Sequence, residues 1–117
     1  MSEQAIQSAI MLAIGRGLSR VFRNNIGTAF HKDGSAVKYG ICNPGGSDLI
    51  GWKSVEITPD MVGKTVAVFL AIECKNTKKR VQPGSDQEKF INMVRKAGGL
   101  AGDARSVDEA RAIVDGM

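Results

Sequence analysis

Residues 66–75 read Val-Ala-Val-Phe-Leu-Ala-Ile-Glu-Cys-Lys. The β-branched and aromatic residues at the start of this run predict a buried strand. The strand ends with Glu73 and Lys75, which are two residues apart, so both side chains leave the same face. Burying a carboxylate and an ammonium costs desolvation free energy unless both are engaged there. The pair is therefore either functional or an ordinary charged pair where the strand reaches the surface.

The patterns on either side of this strand predict a mixed α/β domain. Ser2 can cap a first helix whose apolar stripe is Ile6, Ile10, Ala13 and Ile14. Further patterns predict strands over 19–24 and 37–41, a loop over 25–35 and a hairpin over 55–61. Capping boxes at Ser85-x-x-Glu88 and Ser106-x-x-Glu109 open two helices that flank a short strand over 100–104. We expect one domain over residues 1–117, a small central mixed sheet flanked by helices.

Length and composition narrow the class of protein. The 117 residues suffice for one core and are too few for two, and 43% are hydrophobic, so the chain should fold. The net charge of +4 is a mild indication of a polyanionic partner. Cys42 and Cys74 have no metal-type spacing, which favours a reducing compartment. No apolar run is long enough to cross a membrane, and no signal peptide is recognisable, so we expect a cytoplasmic protein.

Three features are predicted to converge into a site. Asp48 follows the turn Pro-Gly-Gly-Ser over residues 44–47, where glycines leave room for a ligand. Glu73 and Lys75 end the apolar strand. Gln87 precedes Phe90, Ile91 and Val94 by three, four and seven residues, which points its amide towards the sheet. Such an amide either orients a site or is a buried amide satisfied by backbone.

Taken together, these motifs resemble a known family. The pattern of PD-(D/E)XK nucleases is similar to three segments of this chain taken in order: Gly45-Gly-Ser-Asp-Leu49, Ile72-Glu-Cys-Lys75 and Gln87. Arg23-Asn-Asn-x-Gly27 and Tyr39-Gly40 resemble the VRR-NUC branch, including its small stand-alone viral members. The chain departs from the superfamily pattern in one place, since Ser47 and not proline precedes Asp48. The resemblance implies a restriction-endonuclease-like fold.

The resemblance also implies a divalent-metal-dependent deoxyribonuclease that leaves 5′-phosphate and 3′-hydroxyl ends. Two carboxylates, Asp48 and Glu73, make an all-oxygen site suited to Mg²⁺ or Mn²⁺. By resemblance, the backbone carbonyl of Cys74 completes the coordination and Lys75 assists catalysis, while Gln87 supports the site. Glu3 resembles the supporting glutamate of the first helix, as a direct or water-mediated ligand; otherwise it is an ordinary helix N-terminal charge.

Substrate and assembly are the last expectations. Arg23, Lys78, Lys79 and Arg80 are candidate contacts to the phosphate backbone because they border the predicted site. One chain builds one site, so cutting both strands requires a symmetric homodimer. By analogy with small members of the branch, the leading substrate is branched DNA, such as a four-way (Holliday) junction. The alternative is a non-catalytic DNA-binding module that retains the nuclease fold.

Overall fold

A computed structural model describes residues 2–76 and 78–116 of the chain. Its residues form two compact units, Met1–Val55 and Glu56–Met117. The first unit contains helix α1 (Glu3–Ile14) and strands β1 (Ser19–Arg23), β2 (Gly27–Phe30), β3 (Ala36–Tyr39) and β4 (Leu49–Lys53). The second contains a 3₁₀ turn (Pro59–Met61), β5 (Leu70–Cys74), α2 (Asp86–Lys96), β6 (Leu100–Ala104) and α3 (Val107–Val114). None of the helices in these described ranges is long and apolar enough to cross a membrane.

The first unit is built on the antiparallel pair of β1 and β4. Arg23 lies opposite Leu49 in this pair, so the residues that follow β1 and precede β4 meet at one end of the ladder. Phe22 and Trp52, on neighbouring strands, pack with ring centroids 5.5 Å apart and an interplanar angle of 47°. Tilted aromatic pairs of this kind contribute about 0.5–1.5 kcal/mol beyond the apolar area that they bury. The pair stabilises the ladder that carries Asp48.

Helix α1 begins as predicted but presents a different face to its strand. The hydroxyl of Ser2 accepts a hydrogen bond from the Ala5 N–H at 3.1 Å, which confirms the cap. The predicted inward stripe is wrong, because Ile6, Ile10 and Ile14 are exposed. The half-buried positions are Gln7 and Met11, on the side of the helix that packs on β1. A polar contact joins this side of the helix to the strand, since the Arg23 guanidinium on β1 donates to Gln7 Oε1 at 3.0 Å.

Residues 25–35 are not the uninterrupted loop that their glycines predict. Strand β2 lies within them and pairs antiparallel with β3, with Gly27 opposite Tyr39 and Phe30 opposite Ala36. The connection is closed locally, because Asp33 Oδ1 accepts hydrogen bonds from the N–H and the hydroxyl of Ser35 at 2.9 and 2.6 Å. These short-range bonds hold a turn that brings two strands together, and a composition rich in glycine does not reveal such pairing.

The second unit is a β-α-β-α arrangement. Strands β5 and β6 are parallel, with Glu73 opposite Asp103, and α2 is the crossover between them. The buried apolar core consists of Ile91 and Val94 from α2 with Ala101 and Ala104 from β6. Both predicted capping boxes are confirmed, since Ser85 Oγ accepts from the Glu88 N–H and Ser106 Oγ accepts from the Glu109 N–H. Small residues on β6 let α2 and α3 pack closely on the sheet.

Two strand predictions in the second unit need correction. The apolar run begins at Val66, but the strand begins only at Leu70 because its ladder with β6 starts there, opposite Leu100. The segment 55–61 forms no hairpin and instead contains the 3₁₀ turn that starts at Pro59. A strand extends only where a partner supplies hydrogen bonds, so apolar composition overestimates its length.

The mixed α/β class is confirmed, and the single central sheet stays a prediction. Among the described residues the strands form three two-stranded sheets, β1 with β4, β2 with β3, and β5 with β6. Two are antiparallel and one is parallel. The sequence predicts which segments are extended, whereas backbone pairing between distant segments decides how many strands each sheet contains.

Candidate functional site

Glu73 and Lys75 lie at the end of β5 on one side of the parallel pair. Lys75 Nζ is 3.9 Å from Glu73 Oε1, and the two side chains are 21% and 37% exposed, respectively. The Lys75 N–H donates to the Ala104 carbonyl at 2.9 Å, so the backbone here continues the ladder beyond the strand. The ladder thus holds the main chain at this pair, and both charged side chains are partly exposed to solvent.

Gln87 brings α2 to the same carboxylate. Its Nε2 donates to Glu73 Oε1 at 2.8 Å. Gln87 lies in the first turn of α2, whose start is fixed by the Ser85 cap, so the helix terminus sets the position of the amide. The prediction that this side chain turns towards the sheet is confirmed, although Gln87 is exposed and not buried. Its partner is a carboxylate, not the backbone.

A cleft of about 400 Å³ opens beside these groups within the second unit. Its polar rim is formed by Glu73, Gln87 and Asp86, and the apolar part is lined by Ala71, Ile72, Phe90 and Ile91. Sequence reasoning missed Asp86 as a neighbour of the cleft. The available signal was its place in the first turn of a capped helix, directly before Gln87. The cleft combines carboxylate oxygens with a positively charged lysine nearby, a set that can hold a cation and a phosphate oxygen together.

Asp48 lies in the first unit, immediately before β4. Its carbonyl accepts a hydrogen bond from the Asn24 N–H at 2.8 Å, which extends the β1–β4 ladder by one pair. A pocket of about 400 Å³ opens beside it, lined by Gln7, Asn24, Asn25, Ile26, Gly45, Gly46 and Asp48. The residues that line it carry four side-chain carboxylate or amide groups. This part of the first unit therefore surrounds one exposed carboxylate with polar side chains.

The glycine turn before Asp48 is required by close packing. A Cβ at Gly46 would clash with the Ile41 carbonyl oxygen and would lie 2.9 Å from Ile26 Cδ1. Gly45 has φ of +100°, a conformation that side chains with a Cβ rarely adopt. The Gly46 N–H donates to the Cys42 carbonyl at 2.6 Å, so the turn closes on itself. The expected role of these glycines, to admit a sharp turn beside the site, agrees with this geometry.

Glu3 begins α1 and Arg23 ends β1, two neighbouring elements of the first unit. Glu3 is exposed in the first turn of α1, one helical turn before Gln7 of the Asp48 pocket. Arg23 donates to Gln7 Oε1 at 3.0 Å and to Ser8 Oγ at 2.9 Å. The Arg23 guanidinium therefore joins α1 to β1. The predicted contact of Arg23 with a DNA phosphate stays a prediction.

The basic loop between β5 and α2 contains two kinds of cation. Lys78 and Lys79 are exposed, and the Lys78 N–H donates to Asn76 Oδ1 at 3.0 Å. Arg80 is instead ion-paired with Asp103 at 3.3 Å and with Glu109 at 2.9 Å. The guanidinium of Arg80 is thus engaged by two carboxylates, whereas the two lysine residues are exposed; the contact of these three residues with phosphate stays a prediction.

These ion pairs alter the protonation of the carboxylates. The Arg105 N–H, followed by the Arg80 guanidinium, lowers the pKa of Glu109 to about 2. The Val81 N–H, at 2.8 Å, and Arg80 lower the pKa of Asp103. A Glu109 carboxylate oxygen also lies 3.5 Å from the Arg105 guanidinium. We call the ion-paired residues Arg80, Asp103, Arg105 and Glu109 the Arg80 network. It connects the loop between β5 and α2 to β6 and α3.

The donor atoms suit a hard divalent cation. Within each unit, no three His, Cys, Asp or Glu residues of the described ranges gather into a cluster. Mg²⁺ does not need one, because proteins hold it through one or two carboxylates while it retains several waters and binds substrate phosphates. The carboxylates of the exposed Asp48 and the half-buried Glu73, each beside a cleft in its own unit, fit that mode of binding.

Comparison with known proteins gives one match. A sequence model of the VRR-NUC domain matches residues 2–108 of the 117 residues. No curated protein and no solved structure matches the chain. The matched range includes Asp48, Glu73, Lys75 and Gln87, the residues that carry the predicted resemblance.

Proposed function

Because the chain belongs to the VRR-NUC family of nucleases, we propose that it is a divalent-metal-dependent endonuclease that hydrolyses DNA phosphodiester bonds. The observation that carries this proposal is the contact of Gln87 and Lys75 with one oxygen of Glu73, at 2.8 and 3.9 Å. Both donors meet Oε1, which leaves Oε2 as the oxygen that we propose faces a cation. An amide and an ammonium on one carboxylate are the arrangement expected of an oriented ligand, since outer hydrogen bonds fix the position of metal ligands.

The proposed ligands are chosen for their oxygen atoms. Asp48 and Glu73 would bind Mg²⁺ or Mn²⁺ through carboxylates, Cys74 through its backbone carbonyl, and Glu3 directly or through water. Such an ion, when bound, neutralises a phosphate oxygen and lowers the pKa of a coordinated water. The ligands are assigned by chemistry within each unit and by membership of the family.

The other residues act on the substrate or on the ligands. Lys75 carries a positive charge beside the carboxylate, so it can donate a hydrogen bond to the phosphate oxygen on which charge develops. Gln87 holds the Glu73 carboxylate in one orientation and so limits the motion of its second oxygen. The exposed ammonium groups of Lys78 and Lys79 bind the phosphate backbone beside the scissile bond. Hydrolysis on this scheme leaves 5′-phosphate and 3′-hydroxyl ends.

We further propose that residues 1–117 act as one nuclease domain of the PD-(D/E)XK type, because the family match runs through both units. One chain carries one set of these residues, so paired incisions require a homodimer. Branched DNA, with a four-way junction as the leading case, is the proposed substrate. Both cysteines are free thiols, which suits the reducing cytoplasm of a bacterial or virus-infected cell.

A cleavage assay tests the proposal. Purified protein is incubated with an end-labelled four-way junction, a flap and a plain duplex, each in EDTA, Mg²⁺ or Mn²⁺. Paired, symmetric nicks in the junction that require the metal are the expected result. Cleavage of the flap or the duplex alone would keep the nuclease and reject the junction. DNA binding without cleavage under every condition would overturn the enzyme in favour of a DNA-binding module.

A further inference from the structure

The side chain of Asn24 is bound at both ends of the loop that leads to Asp48. Its Nδ2 donates to the Ile41 carbonyl at 3.0 Å and to the Ser47 carbonyl at 3.1 Å. Its Oδ1 accepts from the Ile41 N–H at 2.8 Å. Both amide hydrogens and the carbonyl oxygen are therefore used on a single loop, residues 41–47. The side chain joins the first residue of that loop to the last.

The backbone of Asn24 contacts Asp48 as well. Its N–H donates to the Asp48 carbonyl at 2.8 Å, so Asn24 holds both Ser47 and the residue after it. A Cβ on Gly46 would lie 3.0 Å from Asn24 Nδ2, which shows how closely the turn encloses this amide. Four hydrogen bonds, three donated and one accepted by Asn24, thus hold the main chain where it enters β4, and the direction of the Asp48 side chain follows from that main chain.

We propose that Asn24 is a positioning residue, which presets the Asp48 carboxylate for a divalent cation; this inference rests on the proposed function. Asn24 does not need to touch the cation or the DNA, because its polar groups are engaged by the loop. An aspartate cannot replace it. A carboxylate of the same shape donates no hydrogen bond and would face the Ile41 and Ser47 carbonyl oxygens.

The chain offers a matched control in Asn43. Its Nδ2 also donates to two backbone carbonyls, those of Gly27 and Tyr39, at 2.8 and 2.9 Å. Asn43 belongs to the same loop, but these bonds hold the base of the β2–β3 hairpin and not the residues at Asp48. Loss of the Asn43 amide therefore removes comparable hydrogen bonds while the connection between Asn24 and Ser47 remains.

The test compares Asn24→Asp with Asn43→Ala in the full chain. Mn²⁺ binding without DNA is measured by electron paramagnetic resonance, and Mn²⁺ dependence, kcat and KM for DNA are measured in the cleavage assay. We expect Asn24→Asp to weaken Mn²⁺ binding and raise half-saturating Mn²⁺ by about tenfold or more, the usual effect of losing a group that orients a ligand. KM for DNA stays unchanged, and saturating Mn²⁺ restores kcat. Asn43→Ala should lower the melting temperature but leave Mn²⁺ binding as in the wild type.

Each outcome decides the matter. If the wild-type protein binds Mn²⁺ and cuts DNA, and Asn24→Asp binds Mn²⁺ with the same affinity, the inference about Asn24 is overturned and the proposed function is not. Equal losses of affinity in Asn24→Asp and Asn43→Ala would reduce Asn24 to a structural role and also overturn it. A wild-type protein that neither binds Mn²⁺ nor cuts DNA would overturn the proposed function. If Asn24→Asp does not fold, Asn24→Ser, which retains one donor, serves in the same comparison.

Discussion

Gln87 Nε2 lies 2.8 Å from Glu73 Oε1, and this hydrogen bond joins the first turn of α2 to the end of β5. Lys75 Nζ lies 3.9 Å from the same oxygen. A helix start and a strand end thus fix one carboxylate from two directions, which is the feature of the second unit that most favours a catalytic role.

Substituting Gln87 tests whether that orientation matters. Gln87→Leu removes the hydrogen-bond donor and introduces an apolar side chain of similar size, which the partly apolar cleft can accommodate. We expect cleavage to fall by about 10–100-fold, the range for loss of a hydrogen bond that orients a metal ligand. Asn92→Leu, on the same helix but outside this cleft, is the control and should cleave normally. Equal cleavage rates for the two variants would contradict the assigned role of Gln87.

Glu73 is the residue whose charge the proposed chemistry needs most. Glu73→Gln keeps the shape and removes a ligand, and a bound ion contributes several kcal/mol to the transition state. Cleavage should therefore fall by about a hundredfold or more, while DNA binding in EDTA is retained. Glu56→Gln makes the same change of charge at an exposed position and is the control. Wild-type cleavage by Glu73→Gln would place the site elsewhere.

The exposed Lys78 and Lys79 of the β5–α2 loop predict that the affinity for DNA depends on salt concentration. DNA binding by Lys78→Gln/Lys79→Gln should weaken for every sequence, and the slope of log K against log salt should become shallower by about 2, near one unit per lost phosphate contact. Fluorescence anisotropy over a series of salt concentrations measures this slope. Lys64→Gln/Lys96→Gln lowers the net charge equally and should leave the slope closer to that of the wild type. Indistinguishable slopes for the two double variants would remove the loop lysines from the interface.

The Arg80 network predicts a pH dependence of stability. The pKa of Glu109 is lowered from 4.5 to about 2, so its ionised form stabilises the fold fully above pH 4.5. That contribution is lost as the pH falls from 4.5 towards 2, because the unfolded chain takes up the proton first. The melting temperature of the wild type should therefore fall more steeply over this range than that of Glu109→Gln. Asp108→Asn, which changes a carboxylate outside the network, should follow the wild type. Parallel curves for wild type and Glu109→Gln would contradict the prediction.

Local features of the fold are readable from the chain because they depend on neighbours in sequence. The Ser2 cap and the two capping boxes involve residues three positions apart, and each forms as predicted. The strand over 100–104 is likewise bounded by Gly98 and Gly99 on one side and by the Ser106 cap on the other. The close approach of Glu73, Lys75 and Gln87 was also predictable, since strand and helix periodicities decide which side chains share a face.

Predictions failed where a partner distant in sequence decides the outcome. The start of β5 depends on where β6 begins, and the side of α1 that contacts β1 carries Gln7, which Arg23 on that strand hydrogen-bonds. The ion pairs of Arg80 with Asp103 and Glu109, more than 20 residues away, could not be read from the basic loop in which Arg80 lies. Asn24 has no distinguishing local pattern beyond the Arg-Asn-Asn-x-Gly motif, and only the folded loop shows what its amide holds.

The sequence by itself determined the family and the helix starts, because motifs and caps are encoded over short distances, and it supplied the residues that we propose for the site. Tertiary structure alone decided the pairing of the strands, the buried side of α1, the Arg80 network and the role of Asn24 in the loop before Asp48. These depend on hydrogen bonds and ion pairs between groups far apart in the chain, whose formation requires the backbone to be folded first.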